Sequence, residues 1–168
     1  MKTCSGRETF LDNHLMARRS AGIALYHGSG SELEVLLVHP GGPLWARRDA
    51  GVWSIPKGEY GEDEDPAAAA RREFTEELGS PPPEGELIDL GETRQRSGKL
   101  VRAWATPGEL DVDQIQSNTF ALEWPPRSGR MREFPEVDRA QWFTLEQARE
   151  RINPGQVALL DRLERAVG

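Results

Sequence analysis

"GEYGEDEDPAAAARREFTEELG" occupies residues 58–79. It holds eight acidic residues between two glycines, five before Pro66 and three after the alanines. Asp65-Pro66 opens a helix. Asp is a good N-cap, because its carboxylate accepts from free amides of the first turn. Pro fits the first helical position, where a missing N–H costs nothing. Ala67 to Leu78 are mostly strong helix formers, and Gly79 stops the run. At about 100° per residue, Glu73, Glu76 and Glu77 fall within an arc of roughly 100°. Ala67, Ala70, Phe74 and Leu78 take a different side. The spacing predicts a helix that buries one face and displays three carboxylates together on another. Like charges at i,i+4 cost about 0.2–0.5 kcal/mol per pair, and Arg72, four residues before Glu76, offsets part of this. An arbitrary E-x-x-E-E run is usually a solvated face. The alternative is a hard-cation site. Oxygen ligands on a rigid element suit Mg2+ or Mn2+, particularly when a substrate phosphate completes the shell. Spacing within the helix does not choose between the two.

The surrounding chain narrows the choice. Its 168 residues suit one domain with a real core. Hydrophobic residues make up 37% and charged residues 29%, which excludes a disordered chain. No apolar run approaches the roughly 18 residues of a membrane span, and the N-terminus lacks the apolar core of a signal peptide. Cys4 is the single cysteine, so no disulfide framework forms within the chain. A cytoplasmic protein is expected. The net charge of −7 argues against a nucleic-acid partner. An anionic ligand would need local arginines, lysines or a bound cation to approach.

Residues 1–18 show no clear periodicity and are expected to be an N-terminal extension, either flexible or an ordered arm, with Met16 a candidate start. Residues 19–168 then form one domain. "SAGIALYH" (20–27) and "LEVLLVH" (33–39) read as strands joined by "GSGS". Their unbroken apolar runs predict cover on both faces. "PGGPLWARRDAG" (40–51) is a long loop, and "VWSIP" (52–56) a short strand or extended segment. "LIDLGETRQR" and "KLVRAWAT" flank Ser97-Gly98 as a second hairpin. "TFALEW" (119–124) alternates as a strand, "PPRSGRMR" (125–132) reads as a basic loop, and "AQWF" (140–143) as a strand end. Thr144 with Gln147 forms a capping box. Asn153-Pro154 restarts a last helix with Val157, Leu160, Leu163 and Val167 in one stripe. Strands and helices mix without regular βαβ alternation, which predicts an α/β fold with a mixed sheet flanked by helices.

Gly58, five residues, Glu64, seven residues, then Arg72-Glu73-Phe74-Thr75-Glu76-Glu77-Leu78-Gly79 resembles the Nudix box, G-x5-E-x7-R-E-U-x-E-E-x-G-U. Every fixed position matches, and Ser80 alone departs, at the last apolar position. "VWSIPKGE" is similar to the family's lead-in, and "EVDRAQWF" (136–143) to its late strand with a carboxylate six residues before a tryptophan. The resemblance implies the Nudix α/β/α sandwich. It also implies divalent-metal-dependent hydrolysis of a nucleoside diphosphate linked to another moiety, with Mg2+ or Mn2+ as cofactor.

Carried onto this sequence, the resemblance makes Glu73, Glu76 and Glu77 metal ligands, with a backbone carbonyl of Lys57 or Gly58 as a further one. Arg72 holds Glu73. Glu136 matches a carboxylate outside the box that binds metal or serves as base, with Glu123 and Asp138 as rivals. Whether Glu73 or Glu136 is the general base stays open. Glu64 supports the loop–helix arrangement. Lys57 stands beside the metal loop as a phosphate contact. Arg47, Arg48, Arg127, Arg130 and Arg132 are loop arginines able to grip polyphosphate. Tyr60, Trp45 and Trp124 could stack on a base or pack in the core. His14, His27 and His39 show no metal-ligand spacing.

The box does not encode the substrate. A proline about fifteen residues past it marks ADP-ribose pyrophosphatases, and a tyrosine slightly further on marks dinucleoside polyphosphate hydrolases. "TRQRSGK" has neither. "WSIPKGE" resembles the segment of dinucleoside polyphosphate and diphosphoinositol members. A nucleoside triphosphate or dinucleoside polyphosphate substrate is therefore expected. The alternatives are an ADP-ribose or other nucleoside-diphosphate-X pyrophosphatase, or a non-catalytic nucleotide-binding module.

Overall fold

The first strand divides the molecule into two cores. The computed structural model describes residues 18–168, so the expected N-terminal extension, apart from Arg18, and the candidate start Met16 lie outside the described residues. In β1 (Arg19–His27), Ala21, Ile23 and Leu25 face one side and Ala24 and Tyr26 the other. In β2 (Glu34–Pro40), Leu36 and Val38 oppose Val35 and Leu37 in the same way. All are buried. The two-residue period of a strand sends alternate side chains to opposite faces. Apolar residues at every position therefore demand a covering layer on each side.

The pairing of β1 and β2 is short. They meet only at Tyr26↔Val35 and His27↔Glu34. Below that point the chain of residues 52–59 enters between them. Val38 N donates to Ser54 O at 2.8 Å and Ile23 N to Pro56 O at 3.1 Å. β3 (Lys57–Glu59) then pairs with Ser20, Ala21 and Gly22 of β1. Gly22 permits this approach: a Cβ there would lie 2.6 Å from Pro56 O and 2.7 Å from Lys57 Cβ. The hairpin read from "GSGS" is thus splayed, and the wedge it admits leads straight into the acidic stretch.

β4 (Ile88–Arg94), β5 (Leu100–Pro107) and β8 (Val137–Thr144) complete a six-stranded sheet of order β4-β5-β1-β2-β8 with β3 beside β1. β1 and β5 run parallel and the other pairs antiparallel, so the sheet is mixed. Helix α1 (Pro66–Leu78) lays Ala69, Ala70, Phe74 and Leu78 on one face. α2 (Leu145–Arg151) and α3 (Val157–Val167) cover the other with Ala148, Leu159, Leu160 and Leu163. This is the α/β/α sandwich expected from the sequence. The helix signals also hold. Asp65 accepts from Ala68 N at 3.0 Å, Gly79 adopts φ 83°, and Thr144 and Gln147 close their capping box. No helix among the described residues is long and apolar enough to cross a membrane.

Two elements differ from the sequence reading. β6 (Thr119–Glu123) pairs with β7 (Met131–Pro135) in a two-stranded ribbon outside the main sheet. Met131 and Arg132, read as part of a basic loop, are strand residues here. Their local pattern is too polar to signal a strand, and the cross-strand partners Leu122 and Glu123 supply the pairing. β8 begins at Val137 rather than Ala140, because β2 pairs antiparallel with it from Thr144 back to Val137, past a register shift that leaves Asp138 unpaired.

Candidate active site

The loop of β3 lies directly over α1. A Cβ built on Gly58 would fall on the Glu73 carboxylate, so only glycine lets the loop close here. Glu73 is consequently 8% exposed. The helical spacing placed it on a displayed face; the loop, which helical periodicity cannot see, buries it. Arg72 organises the carboxylates around it. Its Nε and Nη2 donate to the two oxygens of Glu64 at 2.8 and 3.0 Å. Its Nη1 donates to Glu73 at 2.7 Å and to Glu76 at 3.2 Å. Glu77 turns the other way and accepts from the backbone N of Lys57 at 3.2 Å.

Glu136 reaches the same region through helix-end chemistry. The last carbonyls of a helix lack intrahelical partners. Leu78 O and Glu76 O here accept from Gln116 N at 3.1 Å and Asn118 N at 2.8 Å. Asn118 O then accepts from Glu136 N at 2.8 Å. This crossing segment stitches the residue ahead of β8 to the end of α1.

The electrostatics describe a crowded, desolvated centre. Burial pushes Glu77 up to about 8, against the opposing pull of Lys57. Burial also raises Glu73, and the Arg72 hydrogen bond only partly counters it. Glu136 is raised by burial and then by Glu76. Lys57 is lowered, by burial and then by Lys99. Glu64 is lowered by its Arg72 hydrogen bonds. Glu73 and Glu77 are therefore held where their charged forms are short of compensation, while Glu136 is more open to solvent. A hard divalent cation would supply that compensation, and a set of carboxylate oxygens beside a glycine loop fits one. Among the described residues no three such side chains already converge on one cation position. The geometry gives the reason: Arg72 holds Glu73 and Glu76, while Glu77 faces the Lys57 amide.

A cleft of about 400 Å3 opens beside this centre. Lys57, Glu77 and Glu136 line it, with Trp45 and Arg48 from the long loop. Arg48 lies over the Trp45 ring at 5.6 Å. The loop is pinned by buried His39, whose ring bridges the Asp138 carboxylate at 2.8 Å and the Arg48 carbonyl at 2.6 Å.

Other candidates are not brought to the cleft. Arg47 is exposed outside the lining. Arg127, with φ 62°, and Arg130 stand exposed in the turn of the β6–β7 ribbon, and Arg132 on β7. Tyr60 packs against the core under α1. Glu123 accepts from Gly129 N within the ribbon, and Asp138 serves His39. His27 stacks on Trp142, with ring centroids 3.8 Å apart. The cleft also includes Ser54, Gln95, Asn153 and Gln156, which sequence reasoning passed over. In the sequence, "TRQRSGK" signals only the lack of a marker proline and tyrosine, and Asn153 only a helix start. Neutral polar residues dispersed along the chain carry no motif.

A family model described as the NUDIX domain matches residues 16–163. No curated protein matches the sequence. Among solved structures, the NUDIX domain of Shewanella oneidensis NrtR complexed with ADP ribose superimposes with a TM-score of 0.62 at 15% identity, covering 96% of this chain and 98% of that one. A Caenorhabditis elegans Ap4A hydrolase in a binary complex gives 0.59 at 22% identity, covering 88% and 96%. The Escherichia coli ORF135 protein gives 0.60 at 20% identity, covering 91% and 92%. At these identities the likeness is one of fold.

Proposed function

Since the chain belongs to the NUDIX family, we propose that it hydrolyses a pyrophosphate bond of a nucleoside triphosphate or dinucleoside polyphosphate, with Mg2+ or Mn2+ as cofactor. One observation carries this reading: Lys57, Glu77 and Glu136 line a single cleft at the intact box. Glu73, Glu76 and Glu77 are the residues that would hold the cation, with the Lys57–Gly58 backbone. The cation would neutralise phosphate charge and lower the pKa of bound water.

The chain's own residues supply the rest. Lys57 and Arg48 face the cleft and draw in the phosphate chain, offsetting the net charge of −7. Arg72 orients Glu73 from below. For the base, Glu136 is favoured over Glu73. Its carboxylate lines the cleft and has no hydrogen-bond donor among the described residues, whereas Glu73 is covered by Gly58 and held by Arg72. Glu136 therefore takes the proton from the water that attacks phosphorus. Two cations along the cleft favour a substrate with several phosphates. Similarity in fold to an Ap4A hydrolase and to an ADP-ribose-bound domain is compatible with nucleotide substrates of either kind.

The test is a panel of nucleoside triphosphates, dinucleoside polyphosphates, ADP-ribose and diphosphoinositol phosphates with Mg2+ or Mn2+. Products formed in 18O-labelled water locate the attacked phosphorus. Turnover of the first two classes is expected. Turnover of ADP-ribose alone would refute the substrate assignment. Nucleotide binding with no turnover of anything would make the protein a binding module.

A further inference from the structure

We propose that Gln95 reads the nucleobase of the substrate from the neutral wall of the cleft; this rests on the nucleotide reading above. The cleft divides by charge. Lys57, Arg48, Glu77 and Glu136 carry its ionisable groups, and Ser54, Gln95, Asn153 and Gln156 its neutral ones. Most of the neutral groups are engaged in holding the fold. Gln156 accepts from Ile55 N at 3.2 Å and donates to Ser54 Oγ at 3.0 Å. Asn153 Oδ1 accepts from Gly155 N at 2.9 Å.

Gln95 is different. It is 8% exposed and lines the cleft, yet neither atom of its amide has a hydrogen-bond partner among the described residues. The residue as a whole is buried, but its amide is not among the enclosed unpaired groups: it opens to the cleft, where it can exchange water for a ligand. The backbone around it is fixed from two sides. Gln95 N donates to Lys99 O at 2.8 Å and its carbonyl accepts from Gly98 N at 2.9 Å, closing the β4–β5 turn. Gly155 presses on the other side, where a Cβ would come 2.5 Å from the Gln95 Cα. The residue is thus set at the cleft on a fixed backbone, which removes the backbone share of the ordering cost.

The chemistry of the amide selects the ligand. It sets an NH2 donor group beside a carbonyl acceptor in one plane. A phosphate group is better served by Lys57 and Arg48, and a polyol bearing phosphates all round has no uncharged edge to present. A nucleobase edge places a donor beside an acceptor and pairs with Gln through two hydrogen bonds. A cleft of about 400 Å3 is within the usual range for a ligand of nucleotide size.

Calorimetric titration with AMP, GMP, CMP, UMP and ribose 5-phosphate in Mg2+ isolates the base, since none of these holds a pyrophosphate bond. Wild type should bind at least one nucleotide about 10-fold or more tightly than ribose 5-phosphate. Gln95→Met keeps the shape and loses the amide. It should weaken the preferred nucleotide by about 5–100-fold and leave ribose 5-phosphate level. Gln95→Glu replaces the donor by a second acceptor and should move the preference toward guanine, whose edge offers two adjacent donors. A structural role would not produce that change. Equal binding of nucleotides and ribose 5-phosphate by wild type, or an unchanged preference in Gln95→Met, overturns the proposal. Loss of base preference in Gln95→Met of a protein that hydrolyses no nucleotide would sink the hydrolase reading and leave this one standing. Nucleotide turnover with no role for Gln95 does the reverse.

Discussion

Gly58→Ala adds one methyl group at the point where the β3 loop crosses the Glu73 carboxylate. The backbone at Gly58 is not in the left-handed region, so the collision alone decides the outcome. Relief can come in two ways. The loop can lift, which breaks the Ala21↔Gly58 register and strains the 3.1 Å bond from Ile23 N to Pro56 O. Alternatively Glu73 can rotate, losing its 2.7 Å bond from Arg72. Overpacking costs about 1–3 kcal/mol. A bond to a charged group is worth about 1.5–3 kcal/mol, less here because Arg72 is 39% exposed. The cheaper route sets the cost, so stability should fall by about 1–3 kcal/mol. In a chain of this size that lowers Tm by about 2–12 °C. Either route shifts Glu73 by an ångström or so relative to the Lys57–Gly58 backbone, which should reduce kcat/KM about 100-fold. Gly61→Ala is the internal control: nothing lies within 4 Å of its added Cβ. Its Tm should stay within about 1 °C of wild type. Differential scanning calorimetry and metal-dependent turnover measured on both variants decide the matter. A Gly58→Ala protein that melts and turns over like Gly61→Ala would refute the reasoning.

Glu77→Gln should lower metal-dependent hydrolysis at least about 100-fold, with unchanged circular dichroism; full turnover in that variant would remove Glu77 from the mechanism. Glu77 also predicts a pH dependence. Its folded-state pKa, pushed up to about 8 by burial, lies above its unfolded value. Its contribution is therefore fully present below the unfolded value and is lost as pH rises through the folded one. In chelator the wild-type Tm should fall relative to Glu77→Gln from about pH 5 to pH 9, and added Mg2+ or Mn2+ should close the gap. Arg72→Lys keeps the charge and loses the fork that spans Glu64 and Glu73, so steady-state assays should show kcat falling about 10–100-fold with little change in KM. Phe74→Ala removes a fully buried ring between α1 and the sheet and should cost about 3–5 kcal/mol by urea unfolding.

Much of the fold was legible because its signals are local. The cap at Asp65, Pro66 at the first helical position, Gly79 after the last turn and the Thr144 box each act within four residues. The apolar runs of β1 and β2 announced their two covering layers. The splayed β1–β2 pair was not legible, because its cause is Gly22 meeting Pro56 and Lys57 from a distant loop. Nor was β7, whose pairing depends on a partner strand rather than its own pattern. In the site, the spacing of the box named Arg72, Glu73, Glu76 and Glu77. It gave no sign that Glu73 would be buried, or that Tyr60 would join the core while Arg48 alone of the loop arginines reached the cleft.

The sequence by itself determined the acid-bearing helix, its ends, and the family to which the chain belongs. Those depend on residue type at fixed short spacing, which a helix converts directly into geometry. Only the tertiary structure decided which groups share the cleft. Glu136 arrives because the unpaired carbonyls at the end of α1 capture the segment before β8. Gln95 arrives because a tight turn and Gly155 press it inward from two sides. Both placements come from backbone hydrogen bonding and steric exclusion between segments far apart in the chain, and no spacing along the chain encodes them.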